Sequence, residues 1–260
     1  IRNAISTQLP GSYWVRAEIS EGRQNANGHF YCRFIEKNAA GTDIASAAGI
    51  IWAGTYVTLR ARFERETGQR FGAGIKVLVR VRINFHERYG LSLLVEDIDP
   101  SYTLGDMVRR RKEIIDKLTA EGVVNLNKQL VLPRLLLRIA VITSETAAGF
   151  GDFCNHLAHG GHMFNIKIKL FPAIMQGDKV EQSVINALNA VLAESKDWDA
   201  VVIIRGGGAV SDLNGFDTYL LAANVAQFPL PVITGIGHDR DETVLDLVAN
   251  VRCKTPTAVA

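Results

Sequence analysis

What these 260 residues lack narrows the field first. No apolar run approaches the roughly 18–20 residues needed to cross a bilayer, and the opening IRNAISTQLPGSYW has no basic stretch leading into an apolar one. The expectation is a folded protein of the cytoplasm, with no membrane partner. Cysteine is scarce: Cys32, Cys154 and Cys253 are odd in number and far apart, which fits neither a disulfide framework nor repeated CxxC zinc sites. No Walker motif and no GxGxxG is present. Charge of one sign is lacking too, since 29 Lys and Arg against 27 Asp and Glu leave a net +2. That balance does not announce a polyanion partner, so any basic surface must come from local asymmetry. At 47% hydrophobic and 22% charged residues, the chain can bury the core of one large domain or two ordinary ones.

From Trp14 to about Pro100 the pattern is short alternating runs: YWVRAEIS, HFYCRFIE, IASAAGIIW, VTLRARFE, KVLVRVRINF and LSLLVEDI, separated by turn-rich stretches such as EKNAAGTD and RETGQRFGAG. Six short strands without a helix predict a small closed or nearly closed barrel. Here Arg60, Arg62, Arg65, Arg70, Lys76, Arg80, Arg82 and Arg88 outnumber Glu64, Glu66 and Glu87. In KVLVRVR, Val77, Val79 and Val81 alternate with Lys76, Leu78, Arg80 and Arg82, which predicts one buried and one largely cationic face. With aromatics such as Trp14 and Tyr31 nearby, that face could track a phosphate backbone while stacking bases. A plain solvated strand face explains the same charges.

The segment LGDMVRRRKEIIDKLTAEGVVN reads as a helical connector, with Met107, Ile114, Ile115 and Leu118 in an apolar stripe and Gly122 as a stop. The expected division is a barrel over 1–103, a connector over 104–137 and an α/β domain over 138–260. In the last, four apolar strands (RIAVITS, NIKIKLFPA, AVVIIRGG, PVITGIG) alternate with helices, which predicts a mostly parallel sheet covered on both faces. Ligands of such sheets bind at the carboxyl ends of the strands.

The residues after those strands carry chemistry. Asp152 follows the first strand and is placed in the first turn of the next helix, where compensation of the helix dipole is the plain explanation. Arg205 ends the third strand before Gly206, Gly207 and Gly208, a loop whose backbone N–H groups can approach a phosphate while the guanidinium grips it. After the fourth strand, His238 can exchange a proton near neutral pH, and Asp241, three residues on, can orient it. Each signal alone is ordinary; four groups from three strand ends point to one mouth. A rival cluster, Cys154, His156, His159 and His162, is interrupted by Gly160 and Gly161 and fits neither HExxH nor a zinc-finger pair. No metal site is expected there.

The phrases IAVITSETAAGFGDF, FPAIMQGD, VVIIRGGGAVSDL, PVITGIGHDRDETVLDLVANVR and TPTAVA resemble the catalytic domain of the exonuclease VII large subunit family. YWVRAEIS, NGHFYCRF and LSLLVEDIDP resemble its N-terminal OB-fold. The resemblance implies hydrolysis of single-stranded DNA from its ends to short oligonucleotides, with Asp152, Arg205, His238 and Asp241 as the essential positions. It implies no obligatory divalent metal in at least some members, with magnesium admissible. It also implies small-subunit partners gathered by a helical C-terminal region that lies beyond Ala260. The chain departs from the family where Ala209 replaces a serine after the glycines, where NGFDTY replaces an FND phrase, and where GHDRD replaces GHETD. Two other classes stay open: a catalytically silent single-stranded DNA-binding module, and a nucleotide-phosphate enzyme using RGGG.

Overall fold

The computed structural model describes residues 2–38, 40–160, 165–206, 210–237 and 242–260. They form two compact units, residues 1–109 and 110–260.

In the first unit, α1 (Arg2–Gln8) precedes β1 (Ser12–Gln24), β2 (Phe30–Lys37), β3 (Asp43–Ile51), α2 (Ala53–Thr67), β4 (Lys76–His86) and β5 (Gly90–Asp99); α3 (Pro100–Ala120) follows without a loop. The strands close into a barrel in the order β1-β2-β3-β5-β4. Only β3 and β5 pair in parallel. Five strands closed in this order, with a helix between the third and fourth, make an OB-fold. Closure rests on β1, which pairs with β4 through Ser12–Glu18 and with β2 through Glu18–Gln24, bending at a bulge between Ile19 and Glu21. Val77, Val79 and Val81 face inward as their alternation predicts, packed with Ile19, Phe30 and Phe34. Cys32 joins them, and burial pushes its thiol up to about 12, which keeps it an inert part of the packing.

One expected strand is a helix. VTLRARFE lies within α2, whose buried residues Tyr56, Leu59, Phe63 and Thr67 recur every three or four positions. Alternation would have buried Val57 with Leu59, yet Val57 is 64% exposed. Tyr56 stacks on Phe30 at 4.7 Å and Phe63 meets Phe71 edge-on at 5.3 Å, so helical spacing delivers three apolar side chains to the barrel interior. Gly68, at φ 65°, ends the helix, its N–H donating to the Glu64 carbonyl.

The second unit runs β6 (Arg138–Thr143), α4 (Ala148–Gly160), β7 (Lys167–Pro172), α5 (Val180–Ala193), β8 (Ala200–Ile204), α6 (Tyr219–Ala226), β9 (Val232–Gly235), α7 (Val244–Val248), β10 (Val251–Arg252) and α8 (Pro256–Val259). The sheet is parallel, in the order β10-β9-β8-β6-β7. Successive residues of β6 and β8 serve opposite cores. Ala140, Ile142, Val201 and Ile203 pack with α5, α6 and α7, while Ile139, Val141, Val202 and Ile204 pack with Phe153 of α4 and Val259 of α8. Burial on both faces explains why these strands read as unbroken apolar runs. After β9 the chain does not close on a single helix: the five-residue α7 is followed by a fifth strand, β10, and by α8.

The 110–137 segment is fastened to the sheet by Asn127, which is fully buried. Its Nδ2 donates to the carbonyls of Phe228 and Leu230 at 3.1 and 3.0 Å, and its Oδ1 accepts from Val232 N at 2.9 Å. One amide thereby satisfies three backbone groups at the start of β9. Asn127→Ala strands all three, at about 1–3 kcal/mol for each buried unpaired group. The expected outcome in urea unfolding of the second unit is a loss of about 3 kcal/mol or more. Asn127→Asp is expected to lose at least as much, because it turns an oxygen toward two carbonyls; a loss under about 1 kcal/mol for both would contradict this account.

Candidate functional site

In the second unit β6 and β8 are neighbours, but the chain leaves β6 toward β7 and leaves β8 toward β9. The crevice outside their carboxyl ends is the topological switch point, where open α/β sheets take ligands. Pairing of Ile142 with Ile203 sets the ends of the two strands side by side. Arg205 follows β8 and is only 6% exposed; its N–H donates to the Gly235 carbonyl at 3.2 Å, tying the end of β8 to that of β9. The next residue, Gly206, touches the start of α4. A Cβ on Gly206 would stand 2.9 Å from Gly149 N, and one on Gly149 would stand 2.8 Å from the Gly206 Cα. Beside this close approach lies a cavity of about 350 Å³ bounded by the Ser144–Ala148 turn, the Ala173–Gln176 segment and Arg205 with Gly206.

Asp152 is exposed on α4. The helix starts at Ala148 and has no acidic residue in its first turn, so the expected first-turn position is corrected to the second turn. The structure thus brings Arg205, Gly206 and the helix that carries Asp152 to one crevice. Gly207, Gly208, His238 and Asp241 lie outside the described residues. What is described brackets the last two. On one side, Gly235 is held by Arg205. On the other, Thr243 and Asp246 form a reciprocal capping box at the start of α7, Thr243 Oγ1 accepting from Asp246 N at 3.1 Å and Asp246 Oδ2 from Thr243 N at 3.0 Å. Thr234 Oγ1 donates to the same carboxylate at 2.6 Å, which binds α7 to β9.

Asp217, one of the departures from the family phrase, has a structural role. Its Oδ1 accepts from Val244 N at 2.6 Å. Burial pushes its carboxyl above the usual range, against the Val244 N–H bond and the charge of Arg111, with Asp246 adding repulsion. In the rival cluster, Cys154 and His156 are on α4 and burial raises the Cys154 thiol; the His159 side chain and His162 lie outside the described residues. Among the described residues no group of three or more His, Cys, Asp or Glu is placed to hold a metal ion, and no helix is long and apolar enough to cross a membrane.

On the barrel, Trp14, Arg80 and Arg82 cluster. Trp14, 50% exposed, is the register partner of Arg80, whose Cζ sits 5.9 Å from its ring centroid. Arg82 pairs with Glu96 at 2.6 Å, and Ser12 Oγ donates to the same carboxylate at 2.6 Å. Tyr31 is apart from them. It sits opposite Arg23, nine residues along β1 from Trp14, or up to about 30 Å of extended chain. Its surroundings hold residues that the sequence pattern does not single out. Trp52, 45% exposed, meets His29 edge-on at 4.8 Å, and His29 Nδ1 accepts from Ala53 N at 3.0 Å. Next to them Arg33 pairs with Ala48 of β3, whose exposed positions include Ala45, Ser46 and Ala48. The one signal is a tryptophan at the end of IASAAGIIW, which alternation counts as the last residue of a strand.

Two outcomes follow for the second unit. Gly149→Ala drives a methyl into the Gly206 backbone, whereas nothing stands within 4 Å of a Cβ on Gly151 in the same helix. Thermal unfolding is expected to show a loss of about 1–3 kcal/mol for Gly149→Ala and a gain of up to about 1 kcal/mol for Gly151→Ala; equal effects would refute the close approach. Asp217→Asn keeps an acceptor for Val244 N but stays neutral. Because the folded carboxyl titrates above its unfolded value, its contribution is present at acid pH and lost as pH rises through the raised value. Relative to the wild type, the variant should therefore gain stability from acid toward neutral pH. Urea midpoints measured across that range would expose an opposite trend.

Comparison with known proteins agrees with both units. Residues 123–260 match the family model described as exonuclease VII, large subunit, and residues 1–99 match the one described as OB-fold nucleic acid binding domain. Curated proteins named exodeoxyribonuclease 7 large subunit are similar along the chain. That of Deinococcus radiodurans is 37% identical over 100% of this chain and 64% of its own length. Those of Lactiplantibacillus plantarum and Brevibacillus brevis are 34% and 31% identical, over 96% and 95% of this chain and 52% and 50% of theirs. The chain thus spans about half to two thirds of the length of these relatives. A solved mitochondrial single-stranded DNA binding protein from S. cerevisiae shares 16% identity over 34% of this chain and 90% of that one, at a TM-score of 0.23, too distant to bear on fold or function. With one family model matched over more than half of the chain and relatives more than 30% identical along nearly all of it, the protein belongs to the exonuclease VII large subunit family.

Proposed function

We propose that this chain is the DNA-binding and catalytic part of a cytoplasmic exodeoxyribonuclease that hydrolyses single-stranded DNA to short oligonucleotides, in complex with small subunits. One observation carries the reading: Arg205, a cation almost wholly withdrawn from water at 6% exposure, stands at the strand end where such a sheet takes its ligand. Away from bulk water its charge acts on a phosphate with little screening.

In the reaction, a water oxygen attacks phosphorus, the ester P–O bond breaks and a proton reaches the departing oxygen. Arg205 and the amides of Gly206, Gly207 and Gly208 stabilise the extra charge on the phosphoryl oxygens. His238 exchanges the proton, Asp241 orients the imidazole, and Asp152 positions the water. The barrel holds the single strand, with Trp14 and Tyr31 stacking on bases and Arg80 and Arg82 touching phosphates. Magnesium, where it participates, would add charge neutralisation at the same phosphate.

The test uses end-labelled single- and double-stranded DNA with the full-length protein and its small subunits, in EDTA and in magnesium. Short acid-soluble products from single strands alone are expected, with the rate falling about 10²-fold or more for Arg205→Ala and for His238→Ala. Full activity in His238→Ala would remove that residue from the mechanism, and bound but uncleaved DNA would support a silent binding module. For the barrel, Arg80→Ala with Arg82→Ala should flatten the dependence of log affinity on log salt by up to about 1.4, at about 0.7 for each phosphate fully neutralised. An unchanged slope would take these arginines off the DNA.

A further inference from the structure

We propose that the cavity beside Arg205 holds the single nucleoside that adjoins the scissile phosphate. The proposal rests on the nuclease reading and specifies what enters the site. At about 350 Å³ the space is at the small end of ligand pockets, which run from about 300 to 1,000 Å³. It suits one nucleotide, is too small for an oligonucleotide, and is far larger than a phosphate needs. Its walls are divided as a nucleoside is. Arg205 and Gly206 stand at one side, where the phosphate belongs. Ser144 and Thr146, their hydroxyls 3.2 Å apart, offer polar groups to a sugar. Beside these, on the side of the Ser144 turn away from Arg205 in the strand order β8-β6-β7, lies the segment after β7, in which Ala173, Ile174 and Met175 form an apolar wall for a base and Gln176 adds an amide.

That wall is fixed in place. Ala173 N donates to the Thr143 carbonyl at 2.8 Å and Ile174 N to Ser183 Oγ at 2.8 Å, while Met175 is buried and packed into the sheet core. A preformed wall does not have to be ordered when the ligand arrives. The Gln176 amide both donates and accepts, as does the hydrogen-bonding edge of every base, so the pocket should admit all four nucleosides with weak preference. An inorganic phosphate would leave the apolar wall and the amide unused.

Calorimetry on the 260-residue chain tests this with inorganic phosphate, deoxyribose 5-phosphate, dTMP and dCMP. Both mononucleotides are expected to bind at least about tenfold more tightly than deoxyribose 5-phosphate, a difference of about 1.4 kcal/mol. Gln176 and Ala148 are exposed, so Gln176→Ala and Ala148→Phe should fold; circular dichroism checks this. The first should cut the mononucleotide advantage several-fold and the second remove it, with phosphate binding unchanged in both. Equal affinity for all four ligands, no mononucleotide binding at millimolar concentration, or variants that bind like the wild type would each overturn the proposal. Cleavage by the full-length protein is scored separately. Cleavage without a mononucleotide advantage sinks the pocket and leaves the nuclease standing, whereas the advantage without cleavage leaves a nucleotide site and sinks the nuclease.

Discussion

The crevice at the strand ends of the second unit depends on backbone touching backbone where two glycines meet. Gly149 opens α4 and Gly206 follows β8, and a methyl on either would fall within 3 Å of the other's main chain. Any side chain there would move the helix away from the strand end by the width of a methyl group, and the structure is too closely packed to absorb that without strain. A third glycine extends the constraint. A Cβ on Gly235, at the end of β9, would stand 2.7 Å from Val259 and 3.1 Å from the Thr255 carbonyl, and Pro256 would crowd one on Gly149 at 3.0 Å. The short helix α8 thus lies against α4 and β9 while Gly149 meets Gly206. The result is that the start of a helix, a buried guanidinium and two strand ends share one small volume.

A second set of constraints works from the far side of β9 and is polar. Asn127 fixes the entry of the strand through three hydrogen bonds, and Asp246 fixes its exit through Thr234 and the Thr243 cap. Buried polar groups that are fully satisfied specify one arrangement, because any other leaves them unpaired at several kcal/mol. Asp217 adds an anchor at Val244 at the expense of a carboxylate that burial disfavours. Arg111 offsets part of that cost and also lies 3.8 Å from Glu242, which Arg252 approaches at 3.4 Å. The residues flanking positions 238–241 are therefore held on both sides by groups that have little freedom of their own.

How far the sequence could be read follows from which forces were local. Unbroken apolar runs such as AVVII and VIT announced strands buried on two faces, and the Val77, Val79, Val81 alternation announced a barrel wall; in both, neighbouring residues carry the whole signal. VTLRARFE misled because over eight residues alternation and helical spacing both fit, and what decided between them was the distant Phe30 and Phe71 waiting in the barrel for Tyr56 and Phe63. Arg205 and Gly206 were legible as a strand followed by a turn. Nothing local marked Gly149 as their partner, since a glycine early in a helix usually signals only weak propensity. Nor did spacing reveal the cavity wall after β7, which exists because β7 pairs beside β6 and brings Ala173 to the Thr143 carbonyl. The Asp152 helix was foreseen, but its start was set one turn too late.

The barrel separates two kinds of surface that charge and aromatic content alone run together. Around Trp14 the arginines already have a carboxylate: Glu96 binds Arg82 directly, accepts from Ser12, and lies 3.9 Å from Arg80. A phosphate arriving there has to compete with Glu96 for its cations, so each arginine contributes less to binding than a free one while remaining held in a defined pose. At the other end of β1, the exposed rings of Tyr31 and Trp52 and the half-buried ring of His29 lie close to the small residues of β3. Stacking needs flat rings, and because it neutralises no phosphate it releases no counterions and contributes little to the salt dependence. Ionic attraction at the Trp14 end fades as salt rises. A single strand lying along β1 would thus be held by charge at one end and by stacking at the other, so the two ends of the barrel would loosen under different conditions.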